Sequence, residues 1–565
     1  MSLSQRGRAQ AQSMNRTSVH ICLAACALTV GTAQGQMSNP VIRVTSRLVE
    51  VSVVVHDKKG EPVSDLTQDD FILYDKGEEQ KIRQFAVNSE NTKPEDVPAM
   101  AEGVVSNRFV TVRVNDKLQM VRLPDSLTVI LIDGLNTRFP DQAQAKAALS
   151  KFIRRFHSGD QVAIYTLSNE LRVLHDFTSD TASLLAAIDR QQALNSPALA
   201  ASSYADSHIG GTQAAELDEL IDRGNAQVAA LNEGRRAEIT MVALRAIAQR
   251  LAGLPGRKNL VWLSGGFPIP SGFIGGDISK KASQATWEAQ STRRIFNDAG
   301  ISIYPVDARG MVGTAAWMPT TDTAVASILH MGQTPMDARA EGGVDASREV
   351  MNQLADQTGG RACLGSNDLG GCIGRAMDDG RGTYRLFFTP SHADWNGEFR
   401  ELRIKLNRPG LEARYRKGYY ALADPPKDPN SRQTALADAA TSPVPATGMT
   451  ILARVLQEST PETPTTALLV VLDGHEMGFT RNARGEQEAT VDMEMLAYGD
   501  KPLPMTSSHR TVGLSLSAEE FNVLMKGGVR VTVNVKTPAR SQRIRVVVRD
   551  SASGRVGSLD VPLKH

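Results

Sequence analysis

The chain has 565 residues, with 63 Lys and Arg against 62 Asp and Glu, a formal net charge of +1. That length exceeds a single hydrophobic core and predicts several domains; the charge balance excludes a general pull toward nucleic acid or an anionic membrane. With 22% charged and 41% hydrophobic residues, the composition is that of a soluble globular protein.

The first element is an export signal. Arg6, Arg8 and Arg16 precede the apolar run Ile21-Cys-Leu-Ala-Ala-Cys-Ala-Leu-Thr-Val30, and Gly31-Thr-Ala33 and Ala33-Gln-Gly35 offer small-residue cleavage sites. A run this short does not span a bilayer, and the three-part layout predicts a signal peptide over residues 1–35. Translation starts at Met1 or at Met14, which leaves a signal of more usual length. Leu23-Ala-Ala-Cys26 is also lipobox-like, so a lipoprotein is the alternative to a secreted or periplasmic protein. No other segment approaches the ~20 consecutive apolar residues of a membrane helix, so no transmembrane segment is expected in the mature chain.

Residues 41–115 read as a β domain. Val49-Glu-Val-Ser-Val-Val-Val-His-Asp57, Asp69-Asp-Phe-Ile-Leu-Tyr-Asp75 and Lys81-Ile-Arg-Gln-Phe-Ala-Val87 have strand patterns separated by turn residues such as Lys58-Lys-Gly-Glu-Pro62. Because no EF-hand-like spacing is present, Asp57, Asp70 and Asp75 read as turn and solvent-facing carboxylates, with calcium ligands as the alternative.

Over 124–422 strands and helices alternate. Strands are expected at Leu127–Asp133, Gln161–Leu167, Asn259–Ser264, Ile301–Asp307 and Tyr384–Thr389, with Leu171–Phe177 as an antiparallel edge hairpin. Helical patterns lie at Gln142–Phe156, Thr181–Gln191, Arg236–Leu251, Ala285–Ala299 and Arg348–Thr358. This alternation predicts an α/β domain with a doubly wound, mostly parallel sheet. Residues 192–232 read as an insertion and 310–345 as a long loop. In the closing hairpin, Lys405, Arg408, Arg414, Arg416 and Lys417 read as a solvated strand face, with a patch for an anionic partner as the alternative. Residues 423–448 read as a Pro/Ala linker, and 449–565 as a C-terminal β-sandwich domain. The fold class expected is therefore a central α/β sheet flanked by N-terminal and C-terminal β-sandwich-like domains.

Of four cysteines, Cys22 and Cys26 leave with the signal. Cys363 and Cys372 remain as an even pair in an oxidising compartment, bonded to each other or left as two thiols. Their spacing fits no common zinc motif.

The Leu127–Asp133 strand ends in a carboxylate at the position where open α/β sheets bind ligands. The central region resembles a von Willebrand factor type A (VWA) fold, and is most similar to the VWFA-related domain family typical of acidobacterial secreted proteins. The residues carrying the resemblance are Leu131-Ile-Asp-Gly-Leu-Asn-Thr137, Gly256-Arg-Lys-Asn-Leu-Val-Trp-Leu-Ser-Gly-Gly-Phe-Pro268, Ile303-Tyr-Pro-Val-Asp-Ala-Arg309, Thr358-Gly-Gly-Arg361, Asp378-Asp-Gly-Arg-Gly-Thr-Tyr384 and Arg408-Pro-Gly-Leu-Glu-Ala-Arg-Tyr-Arg-Lys-Gly-Tyr-Tyr420. Together with the N-terminal β region it covers roughly residues 45–422.

The resemblance implies a metal-ion-dependent adhesion site: Asp-x-Ser-x-Ser after the first strand, a Thr from a helix-start loop, and an Asp after the fourth strand. Hard oxygens there hold Mg²⁺ or Mn²⁺, and an open position takes a partner's carboxylate. In this chain Asp133 and Thr137 match, Leu135 replaces the first Ser, and Ser264 stands in place of the last Asp. Thr212 and Thr240 are the alternatives for the Thr, and Asn136 is a further oxygen source. The implied Mg²⁺ or Mn²⁺ site is weak at best, and no other cofactor is expected. In the alternative, Asp133 caps the next helix or bonds loop amides. The implied function is an exported, non-catalytic adhesion or scaffold module with a protein partner and no nucleic acid. A metal-free structural or envelope-assembly protein is the alternative. No Gly-x-Ser-x-Gly elbow, P-loop or His-Glu-x-x-His motif supports an enzyme, and Leu263-Ser-Gly-Gly266 only superficially resembles a nucleophile turn, without linkage to His157, His175 or His208.

N-terminal sequencing of the exported protein should give a mature chain starting near Gln34 or Gln36. An intact Met1 or Met14 on cytoplasmic protein would contradict the export reading.

Overall fold

The computed structural model describes residues 48–88, 103–114, 117–122, 126–155, 160–192, 215–268, 296, 299–311, 335–392, 394–422, 429–460 and 463–563. The expected signal peptide, Thr212 and most of the Ala285–Ala299 helical pattern lie outside these residues.

The centre is a five-stranded sheet. Its strands are β1 (Ser126–Asp133), β2 (Gln161–Leu167), β3 (Leu171–Thr178), β4 (Arg257–Ser264) and β5 (Ile301–Asp307), in the order β3-β2-β1-β4-β5. β2, β1, β4 and β5 are parallel, and β3 is an antiparallel edge. Nearly every residue of β1, β4 and β5 is buried. Continuous apolar runs of this kind arise where helices cover both faces of a parallel sheet.

The pleat divides the core. Ile130, Ile132, Val261, Leu263 and Tyr304 pack against α1 (Phe139–Ile153), α2 (Thr181–Arg190) and a helix at Leu369–Arg381. Leu127, Val129, Leu131, Leu260, Trp262 and Ile303 face the other way, toward α3 (Ala215–Ala252) and α4 (Pro335–Thr358), which makes the Leu369–Arg381 helix α5. Successive side chains of a strand alternate between faces, so Asp133, Ser264 and Asp307 belong to the α3–α4 side.

Four expectations are corrected by this architecture. Thr383–Phe388 is not a fifth parallel strand. It pairs antiparallel with Val49–His56 and Ile82–Asn88. Tyr384, Leu386 and Phe388 are buried in one core while Arg385 between them bonds Glu50, the one-sided pattern of an antiparallel layer. Second, residues 41–115 do not stand alone. Val49–His56 also pairs with Glu412–Tyr415, Phe71–Asp75 pairs with Phe399–Leu406, and Val104–Ser106 joins Ile451–Gln457. Third, the Pro/Ala stretch is no open linker. It holds α6 (Pro429–Thr441), which buries Leu436, Ala439 and Ala440 against Leu496, Tyr498 and Val547. Proline at a helix start and alanine within it both favour that helix. Fourth, the loop at 310–345 gives way to α4 at Pro335, and the 192–232 insertion runs into α3 from Ala215.

Past α6 the chain forms facing antiparallel sheets. Val529–Lys536, Thr465–Leu472 and Ile451–Gln457 make one, and Gln487–Tyr498, Arg543–Asp550 and Val556–Pro562 make the other. Their inward residues, among them Val470, Val491, Val533 and Val546, share a core.

The α4–α5 connection is held tightly against the sheet. A Cβ on Gly360 would lie 1.9 Å from the Ile303 carbonyl oxygen, and Gly359 has φ +77°. The Cys363 amide donates to the Pro305 carbonyl at 2.8 Å, and Cys363 is disulfide-bonded to Cys372 on α5. A loop this short stabilises by at most ~2–3 kcal/mol through chain entropy. Non-reduced mass spectrometry should find Cys363 and Cys372 in one cross-linked peptide; two alkylatable thiols would refute the pairing. Gly360→Ala should cost about 3 kcal/mol or more, because backbone rather than a movable side chain opposes the methyl; an unchanged melting temperature would show that the connection yields.

Candidate functional site

The carboxyl ends of β1 and β4 meet at the centre of the sheet. β2, the next strand in sequence, lies on one side of β1, and β4, to which the chain crosses after the β3 edge, lies on the other, which makes this the topological switch point where such sheets place ligands. Asp133 ends β1 and Ser264 ends β4, both fully buried.

The Asp133 carboxylate is surrounded by donors. Its Oδ1 accepts from the Asn136 backbone N–H at 3.0 Å and from Asn136 Nδ2 at 3.2 Å. Its Oδ2 accepts from Asn136 Nδ2 at 2.9 Å, Trp262 Nε1 at 3.0 Å and Ser264 Oγ at 2.8 Å. Asn136 Nδ2 also lies 3.1 Å from Thr240 Oγ1, which brings α3 into the cluster. Burial drives the Asp133 pKa upward; the hydrogen bonds from Asn136, Ser264 and Trp262 oppose it without cancelling it. Ser264 Oγ is in addition 2.6 Å from the Gly266 carbonyl oxygen. One hydroxyl hydrogen serves one of these two acceptors at a time. A proton on Asp133 would let both contacts be hydrogen bonds, the same direction as the raised pKa.

The intervening loop is fixed from below. Gly134 and Leu135 donate their amides to the Leu167 carbonyl, at 2.8 and 3.1 Å. Leu135 is buried in the α3–α4 core, so the position that the resemblance assigns to a ligand hydroxyl serves packing instead. Gln142 Nε2 bonds the carbonyls of Gly134 and Thr137. Thr137 Oγ1 accepts from the Gly265 amide at 2.9 Å. Asp133 does not cap α1, whose N-cap is Arg138 without a side-chain cap bond.

The structure therefore gathers Asp133, Asn136, Thr137, Thr240 and Ser264, and leaves Thr212 outside the described residues. It adds residues that motif reasoning passed over. Trp262 lies two residues before Ser264 on the same strand, a spacing that puts both side chains on one face. Arg236, one helical turn before Thr240 on α3, places Nη1 3.4 Å from Asn136 Oδ1. Asp307 lies beside Ser264 in the β4–β5 register and is held by Arg309 Nε at 2.7 Å and Arg348 Nε at 3.5 Å. Its signal was the Asp-Ala-Arg run at the end of β5.

These residues do not fit a divalent cation. Magnesium and manganese need several oxygens presented to one point with enough negative charge. Here both Asp133 oxygens are taken by N–H and O–H donors, and Asn136 turns its amide nitrogen, not its oxygen, toward the carboxylate. The Thr137 hydroxyl is held by Gly265, and the Arg236 charge stands at the rim, 3.4 Å from the Asn136 oxygen. A cation entering here would displace donors and meet a guanidinium. The neighbouring carboxylate, Asp307, is already neutralised by arginines.

No family profile matches the chain, and no characterised protein matches it in sequence. Among solved structures, similar chains include a von Willebrand factor type A protein from Catenulispora acidiphila, at 12% identity over 85% of this chain and 73% of that one, with a TM-score of 0.23. BatB from Bacteroides thetaiotaomicron matches at 11% identity over 45% of this chain and 95% of its own, with a TM-score of 0.20. The vWF domain of the type V pili tip protein Mfa5 from Porphyromonas gingivalis matches at 11% identity over 32% and 79%, with a TM-score of 0.18. The neighbours thus include VWA-domain proteins, and identities and scores this low say nothing about a ligand.

Asp133→Ala should lower stability by about 2–4 kcal/mol, since the indole and Asn136 donors would lose their acceptor in a dry site. The pH dependence has a definite sign. Because the folded pKa is raised, the stability Asp133 contributes is complete below its unfolded value of ~4 and is lost as pH rises through the folded value. Asp133→Asn removes that titration. The melting temperature of the wild type should gain on the variant as pH falls from 7 toward 4; a constant difference would contradict the raised pKa.

Proposed function

We propose that the chain is an exported, non-catalytic protein-interaction module of the VWFA-related kind, adhesive or scaffolding, whose partner docks at the carboxyl edge of the central sheet. The degenerate adhesion site around Asp133, Asn136, Thr137 and Ser264 acts there as a rigid platform that works without a divalent ion. The observation that carries this reading is the rim. Phe139, on the first turn of α1, is 52% exposed, and Met311, just past β5, is 67% exposed. Arg236 is half-buried, with its guanidinium 3.4 Å from the Asn136 amide oxygen. Aromatic, methionine and arginine side chains are enriched in protein interfaces, and here Phe139 and Met311 follow the carboxyl ends of β1 and β5 while Arg236 reaches the cage whose carboxylate is already spent. Export is supported by the Cys363–Cys372 bond, since such pairs persist in oxidising compartments.

A metal-free structural or envelope-assembly protein is the second reading, favoured by the same spent carboxylate. A hydrolase is disfavoured because Ser264 is buried and bonded to Asp133 and Gly266.

Titration with Mn²⁺ should show binding no tighter than ~1 mM, the range of the loosest extracellular cation modules. Micromolar binding that vanishes in Asp133→Ala would overturn the metal-free platform. A photo-crosslinking side chain at Phe139, in protein expressed by its host, should capture a defined adduct that persists in EDTA. The same probe at the exposed Val523 of the C-terminal region should not. Equal capture at both positions, or at neither, would remove the edge as the docking site.

A further inference from the structure

A second polar cleft lies away from the carboxyl edge, where the Val49–His56 strand meets Glu412–Tyr415. It has a volume of about 420 Å³, and Lys58, Lys59, Arg361 and Arg414 bring positive charge to its walls. Clefts that take small ligands are commonly ~300–1,000 Å³.

The acidic groups of this cleft are largely engaged. Asp57 closes the turn below Lys58 and Lys59, its Oδ1 accepting the Lys59 amide at 2.8 Å and the Glu61 amide at 2.9 Å. Beneath the floor, buried Asp379 accepts from Tyr304 Oη at 2.9 Å and Arg414 Nη1 at 3.0 Å, and lies 3.0 Å from His56 Nε2. Burial opposes ionisation of Asp379, but the His56 hydrogen bond and the charges of Arg257 and Arg414 outweigh it and hold its pKa below the usual carboxylate range. Glu412 remains as an exposed carboxylate on the wall.

The cations are arranged differently. Arg408 pairs with Asp65, and Arg414 is tied to Asp379. Lys58, Lys59 and Arg361, by contrast, make no side-chain hydrogen bond or ion pair among the described residues. The backbone that carries Arg361 is rigidly placed. Gly359 and Gly360 before it pack too closely on Tyr415, Arg416 and Ile303 to carry side chains, and Cys363 after it is anchored to β5 and to α5. Partial burial holds the Arg361 pKa below the usual guanidinium range; the like charges of Arg414 and Arg375 add to this, and the carboxylates of Asp379 and Glu412 oppose it. Arg361, Arg414 and the two lysines thus present several positive charges to one cleft, two of its walls carrying cations without a protein partner among the described residues.

We propose that this cleft binds a small ligand through a tetrahedral oxyanion, a phosphate or sulfate monoester, with Arg361 as its principal anchor. Such a group offers three oxygens to donors that come from separate walls, whereas a carboxylate offers two in one plane. The cleft is several times larger than the oxyanion, so the rest of the ligand fits beside it.

The test is calorimetric titration of the full mature chain with glucose 6-phosphate and glucose 6-sulfate, at constant ionic strength, with glucose and chloride as controls. At least one ester should bind saturably while glucose does not. Arg361→Gln should weaken that binding at least tenfold with an unchanged melting temperature, because the side chain has no partner to lose. Arg361→Lys should fall between, keeping the charge without the fork, and the Lys58→Gln, Lys59→Gln double variant should lose severalfold. The pH distinguishes the two esters: a phosphate ester gains charge near pH ~6 and binds more tightly above it, while a sulfate ester does not change. Failure of both esters to bind better than chloride, or equal affinity in wild type and Arg361→Gln, would overturn the proposal.

Discussion

A carboxylate taken out of water must be met by hydrogen-bond donors or cations, or give up its charge. Asp133 is fully buried at the point where the two central strands end, and the surrounding structure follows from that demand. The loop after β1 folds back so that the Asn136 amide and side chain reach the carboxylate. β4 presents Trp262 and Ser264 to it, and α3 closes over it through Thr240. The loop after β1 and β4 are thereby bound to one group, and α3 is joined to it through Asn136.

Much of this was legible in the sequence. The strand at Leu127–Asp133 stood out because a sheet covered on both faces requires an uninterrupted apolar run, and the polar residue ending it marked the edge. Asp133 was found for that reason, and Asn136, Thr137, Thr240 and Ser264 through the resemblance to the VWA adhesion motif. Trp262 was missed because its apolar ring reads as core, which it also is, packed 4.4 Å from the Phe267 ring; only its N–H belongs to the site. Arg236 was missed because it contacts a residue 100 positions away, and no local pattern encodes that pairing.

The sheets made from opposite ends of the chain were equally hidden. Val49–His56 and Thr383–Phe388 each look like an ordinary strand, and nothing in either names its partner. The Pro/Ala composition of α6 concealed a helix because its buried face is made mainly of alanine, which contributes little hydrophobic contrast. Arg385 within Thr383–Phe388 was the informative exception. A strand with a charged residue at its middle is excluded from a sheet buried on both sides, and that reasoning alone would have moved it out of the central sheet.

Leu135 and Trp262 make one chemical arrangement rather than two separate departures from a cation site. A hydroxyl at 135 would bring an oxygen toward Asp133 but would take an apolar side chain out of the α3–α4 core. With Leu135 there, the oxygen is gone and the carboxylate needs another neighbour. The indole supplies an N–H from within the sheet, and that N–H uses a carboxylate lone pair that a cation would need. Oxygen ligands and N–H donors are opposite answers to the same buried charge, and they exclude each other because both use the same lone pairs. Arg236 then adds a positive charge at the rim that does not depend on any ion in solution. In the proposed metal-free reading, the electrostatic character of this edge is set by the covalent chain itself.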